Sequence, residues 1–75
     1  MPQIPNILKK LVQTYISELG FLGLKYMGLY KSSQIWLLQP PKDRIYGAPI
    51  IYSYSQGEAK QIIGKQAIAI LASIS

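Results

Sequence analysis

Apolar positions near the N-terminus recur at steps of three and four. Ile4, Ile7, Leu8, Leu11, Val12, Tyr15, Ile16 and Leu19 are interleaved with Asn6, Lys9, Lys10, Gln13, Thr14, Ser17 and Glu18. That period sets one stripe of an α-helix against a core and leaves the remainder to solvent, so the spacing predicts an amphipathic helix over residues 5–19. Pro5 suits its first turn. Gly20 suits the left-handed residue that ends a helix, with Phe21 folding back onto Ile16.

From Phe21 to Tyr54 the period falls to two and the residues become aromatic and β-branched, which predicts sheet. Leu22, Leu24, Tyr26 and Tyr30 share one face of a first strand, interrupted at Gly28 as by a bulge or twist. Lys31, Ser32 and Ser33 read as a turn. A second strand covers residues 34–39, with Ile35 and Leu37 opposite Trp36 and Leu38, and Pro40-Pro41 ends it. Lys42, Asp43 and Arg44 form a charged loop, after which Ile45 and Tyr46 extend strand pairing. A third strand covers residues 49–54, with Ile50, Tyr52 and Tyr54 on one side and Ile51 and Ser53 on the other. Ser55-Gln56-Gly57-Glu58 then fits a capping box, and Ala59, Ile62, Ile63, Gln66, Ala67, Ile70, Leu71 and Ile74 keep helical spacing to the end of the chain.

The expected fold is therefore α+β in the order α-β-β-β-α, a three-stranded antiparallel sheet with two helices packed on one face. Residues 1–75 form a single domain, and Ile7, Leu11, Ile16, Leu37, Ile63, Ala67 and Ile70 share one core. Two helices cover one face only, so the other face is expected to present some of Tyr26, Tyr30, Trp36, Tyr52 and Tyr54 to solvent or to a partner.

Composition narrows the chemistry. Seventy-five residues support one small core, and an apolar share of 49% with 15% charged residues is that of a folded domain. The chain has neither cysteine nor histidine, and its acids are only Glu18, Asp43 and Glu58, far apart in sequence. Nucleophilic, general-base and metal chemistry thus lack their usual residues, and no catalysis and no cofactor are expected. Eight Lys and Arg against three acids give +5, a field that attracts nucleic acid. Lys9 and Lys10 interrupt the N-terminal apolar pattern, and no apolar run approaches about 18 residues, so neither a signal peptide nor a membrane span is expected. The expected location is cytoplasmic, or within an organelle.

The segment Glu58-Ala59-Lys60-Gln61-Ile62-Ile63-Gly64-Lys65-Gln66-Ala67-Ile68-Ala69-Ile70-Leu71 resembles the last helix of double-stranded RNA-binding domains, which opens on a KKxAK motif. The topology extends the likeness over most of the chain. In it Lys60 matches the motif's last lysine, which implies a phosphate contact from a helix N-terminus. Gln56 and Gly57 stand at the other two lysines. Leu8, Leu11 and Gln13 resemble the family's minor-groove helix, whereas Lys31-Ser32-Ser33-Gln34 replaces its second contact turn. The same stretch, continued by Ile35-Trp36, is similar to the catalytic strand of HicA-type RNA-cleaving toxins with Gln34 at the histidine, which implies an inactive relative.

The resemblance and the charge together imply a small RNA-binding module that reads duplex or structured RNA weakly. Polar side chains on one helix face the 2′-hydroxyls and cations reach the phosphates one groove away. The expected RNA-binding residues are Lys9, Lys10, Gln13, Lys31 and Lys60, with Lys42 or Arg44 as auxiliaries. The alternative is a protein-interaction module, a homodimer or adaptor. It would act through a strand edge or the aromatic sheet face, with Ile51, Ile68 and Ala72 as suspects.

Overall fold

The computed structural model describes residues 2–43 and 47–74. Its elements run α1 (Asn6–Leu11), α2 (Gln13–Leu19), β1 (Gly23–Tyr30), β2 (Ser33–Gln39), β3 (Ile50–Ser55), β4 (Glu58–Ile63) and α3 (Gly64–Ile74). The four strands form one antiparallel sheet in the order β1-β2-β3-β4.

The expected N-terminal helix is present as two segments joined at Val12. Its hydrogen bonds continue through the joint, with Val12 N–H donating to Leu8 O at 3.1 Å and Ile16 N–H to Val12 O at 3.0 Å. Gly20 ends α2 in the left-handed conformation (φ 77°), and the Phe21 N–H donates back to Tyr15 O at 3.1 Å. The Phe21 ring meets Tyr15 edge-on, with centroids 5.3 Å apart.

The largest correction concerns residues 55–63. In place of a capped helix, Gln56 and Gly57 form a two-residue hairpin loop with φ values of 51° and 79°, and residues 58–63 return as β4 along β3. Positive φ at both loop positions is the signature of the type I′ turn, whose twist matches that of paired strands. The strand reverses straight into α3 at Gly64, whose φ of 67° admits no Cβ without strain. The sheet thus has four strands instead of three.

The second correction follows from the first, because α3 packs on the face opposite α1 and α2. On one face Leu8 and Val12 of the helices meet Phe21, Trp36, Leu38 and Tyr52. On the other, Ile35 and Ile51 meet Ala67, with Leu37, Ile62, Ile70 and Leu71 around them. The two helical units do not share a face, and the sheet is buried on both sides. No bare aromatic face remains: Trp36 and Tyr52 are buried, while Tyr26, Tyr30 and Tyr54 are half-buried. Of the residues expected in one core, Ala67 is buried, and Leu37 and Ile70 border the same cluster. Ile7, Leu11, Ile16 and Ile63 are 40–60% exposed, so the core-facing residues of the first helix are Leu8 and Val12 instead.

In β1 the pairing shifts between Tyr26 and Gly28, leaving Met27 as the extra residue of a bulge. The bulge sends Tyr30 to the α3 side, away from Leu24 and Tyr26, with which it was expected to align. The strand expectation for Ile45 and Tyr46 lies outside the described residues.

Candidate nucleic-acid interface

Both two-residue hairpin loops, Lys31-Ser32 and Gln56-Gly57, lie at the same end of the meander. Between them β2 and β3 place Gln34 directly across from Tyr54, on the face that carries α1. One depression, of 420 Å³, runs from Lys31, Ser32 and Gln56 past Gln34 and Tyr54. A second, of 400 Å³, shares Gln34 and Tyr54 and continues over Gln3 and Asn6. A third, of 490 Å³, shares Pro2, Gln3 and Ile4 and ends at Lys9, Leu24 and Trp36. The three depressions adjoin through these shared residues, with Lys31 in the first of the series and Lys9 in the last. Neither Asp nor Glu lines them.

Alternation along the strands explains the lining. Even-numbered positions of β2 and β3 turn toward α1, so the residues that build that core, Trp36 and Tyr52, are followed toward the hairpin end by Gln34 and Tyr54. The Trp36 indole Nε1–H donates to Gln34 Oε1 at 3.1 Å. This fixes the amide so that its NH₂, a double donor, is left for the groove. Tyr54 is half-buried and brings an aromatic surface beside it. Lys31 holds a left-handed backbone (φ 49°), and its Nζ rests 5.4 Å from the Tyr30 ring centroid. An exposed cation–π contact contributes only about 0.5–1 kcal/mol, so the ammonium is readily drawn to a phosphate.

On the same face, at the β4 edge, Gln61 Nε2 donates to the Tyr52 hydroxyl at 2.9 Å and to that of Tyr15 at 3.3 Å, tying α2 to β4. Burial pushes the Tyr52 phenol above its ordinary 10.0; the hydrogen bond from Gln61 acts in the opposite sense, and the neighbouring Tyr15 adds to the rise. Gln61 is itself exposed, so the cluster lies at the rim of the layer, where it joins α2 to the sheet.

The five residues expected to bind RNA do not converge on one site. Lys9 and Lys31 border the groove. Lys10 and Gln13 are exposed on the outer surface of α1 and α2 and touch none of it. Lys60 is exposed in the middle of β4, at a position that alternation assigns to the α3 side of the sheet, and so is not in the first turn of a helix. The expected phosphate contact from a helix terminus is thereby corrected. Lys42 lies in the β2–β3 connection at the opposite end of the sheet, and Arg44 lies outside the described residues. Of the interface suspects, Ile51 is fully buried, whereas Ile68 is exposed.

Gln3 and Asn6 escaped the sequence reading; Tyr54 was expected only among the aromatics of a bare sheet face, and Gln34 and Gln56 only as departures from family motifs. The one available signal was the alternation that aligns Gln34 with Trp36, and Tyr54 with Tyr52. Among the described residues no group of three or more potential ligands stands together to hold a metal ion, and no helix is long and apolar enough to cross a membrane. No family model matches the chain, and neither a curated protein nor a solved structure matches it.

Proposed function

We propose that the chain is a small, non-catalytic RNA-binding module that takes an unpaired RNA segment along the groove from Lys31 to Lys9. The observation that carries this reading is the run of adjoining depressions: a lysine at each end, no acid in the lining, and the Tyr54 ring beside the oriented Gln34 amide between. Binding of single strands needs backbone cations combined with a surface on which bases stack, and Tyr54 between Lys31 and Lys9 provides that combination. Gln34 offers donors to base carbonyls or phosphate oxygens. Duplex RNA would instead need two cation sets separated by a groove width. Lys60, which was to supply the second set, belongs to the other side of the sheet. Absence of histidine and cysteine, with the three acids on separate elements, supports binding without turnover.

The test is a titration of the protein against single-stranded RNA, duplex RNA and duplex DNA of equal length at several salt concentrations. The reading predicts weak, salt-sensitive affinity that favours the single strand, and a loss of about 5- to 100-fold in Tyr54→Ala, the scale of one stacked base. A preference for duplex RNA that survives Tyr54→Ala would replace the groove reading with the duplex one.

A further inference from the structure

The two edges of the sheet are built differently. Both edges carry an exposed lysine, Lys25 on β1 and Lys60 on β4, but β1 alone carries a bulge, at Met27–Gly28, a device that discourages strand addition. β4 pairs with β3 without a break from Glu58 to Ile63 and holds no proline, and its outer side is unpaired among the described residues. In a two-residue hairpin the residues flanking the loop exchange their backbone hydrogen bonds, here Ser55 and Glu58. Alternation then turns the N–H and C=O groups of Ala59 and Gln61 and the N–H of Ile63 outward, the Ile63 C=O facing also the first turn of α3. At the end of this row Ile63 is 60% exposed, a large apolar side chain at an open edge.

We propose that β4 pairs antiparallel with β4 of a second copy, across a twofold axis at Gln61, to give a continuous eight-stranded sheet. This register sets Ala59 against Ile63 of the partner copy, Gln61 against Gln61, and Ile63 against Ala59. Every outward backbone group of the three residues on each copy is then satisfied. The same pairing lays the small Ala59 beside the exposed Ile63, on the same sheet face in both copies. Ile7 and Leu11 extend the apolar edge. Lys9 borders the same depression as Leu24 of β1, so helical spacing puts Ile7 and Leu11 on the opposite flank of Leu8, toward β4. A register centred on Ala59 would oppose Glu58 to Lys60 twice, but it would leave Ile63 unpaired and run Gln61 against the Gly57 turn. Hydrogen-bond matching therefore selects Gln61.

Charge makes the association distinguishable from RNA binding. Each copy carries +5, and Lys60 lies diagonal to its symmetry mate in this register, so salt screening strengthens the dimer while it weakens binding to RNA. The test uses the full chain without RNA. Light scattering across concentrations up to the order of 100 µM, where small interfaces begin to assemble, should show the mass rising from 8.4 kDa toward twice that value, more completely at high salt. Amide hydrogen exchange should show Ala59, Gln61 and Ile63 gaining protection as concentration rises. Ile63→Lys, at a site outside both cores, should hold the protein monomeric and folded by Trp36 fluorescence, while Ile68→Lys on α3 should leave the dimer unchanged. A chain monomeric under all these conditions overturns the proposal. So does a dimer in which those three amides stay unprotected, or one that persists in Ile63→Lys. None of these results depends on whether RNA binds.

Discussion

Leu8 and Leu11 lie one turn apart on α1, both leucines on the apolar side of the helix, yet Leu8 is fully buried and Leu11 is 47% exposed. Replacing each by alanine changes helix propensity equally and little, so the difference isolates burial. At Leu8 the lost methyl groups leave a hole against Val12, Trp36 and Tyr52, and the expected cost is about 3–5 kcal/mol from transfer and cavity together. At Leu11 about half the transfer contribution is lost and no cavity forms, so the cost is about 1 kcal/mol. For a chain of this length total stability is of the order of 4–11 kcal/mol, so Leu8→Ala removes a large part of it. Urea unfolding followed by Trp36, the sole tryptophan and 1% exposed in the same cluster, reads the change directly. With a slope of about 1 kcal/mol/M the midpoint should fall by roughly 3 M or more for Leu8→Ala, and by roughly 1 M for Leu11→Ala. Equal losses, or a larger one at Leu11, would mean that the helix presents its other flank to the sheet and would refute the packing described above.

Tyr52 makes stability depend on alkaline pH. Its phenol titrates above 10.0 in the folded chain, so the folded state holds the proton more tightly than the unfolded one; its contribution is complete below 10.0 and is lost as pH rises past the folded value. Thermal melts should therefore show stability falling above pH about 10, less steeply in Tyr52→Phe, and an equal decline in the variant would contradict the assignment. Ser32 occupies a left-handed turn position (φ 67°) that costs a residue with a Cβ about 1 kcal/mol, so Ser32→Gly should raise the urea midpoint. A loss of stability in that variant would contradict the hairpin geometry.

The first helix, its glycine stop, the bulge at Gly28, and β2 and β3 were legible because each carries a local signal: a period, a positive-φ residue or a proline end. Residues 58–63 misled for an equally local reason. Glu58, Ala59, Lys60 and Gln61 are good helix formers, and Ser55 with Glu58 imitates a capping box. The pairing that overrides them is tertiary, since the outer edge of β3 needs a partner and a two-residue loop ending in Gly57 supplies one. A clue to the opposite placement of α3 stood in β2, where Ile35, Trp36, Leu37 and Leu38 run without a polar break, as in a strand buried on both faces. Part of the candidate site was legible as charge, in Lys9 and Lys31. Its polar floor was not, because Gln34 and Tyr54 become neighbours only through the β2–β3 register.

If RNA follows the groove rather than the net charge of the chain, two charge-matched double variants must differ. Lys9→Glu with Lys31→Glu and Lys60→Glu with Lys65→Glu each take the net charge from +5 to +1, since each substitution removes two units. Affinity for single-stranded RNA, measured by fluorescence anisotropy at one fixed salt concentration, should fall by well over 10-fold for the first pair. Its salt slope should drop by about 1.4, the value for two phosphate contacts on a single strand. The second pair, on the opposite side of the sheet, should lose only a few-fold through the weakened general field. Equal losses in the two proteins, both folded, would contradict the groove and leave only nonspecific attraction between a basic surface and a polyanion.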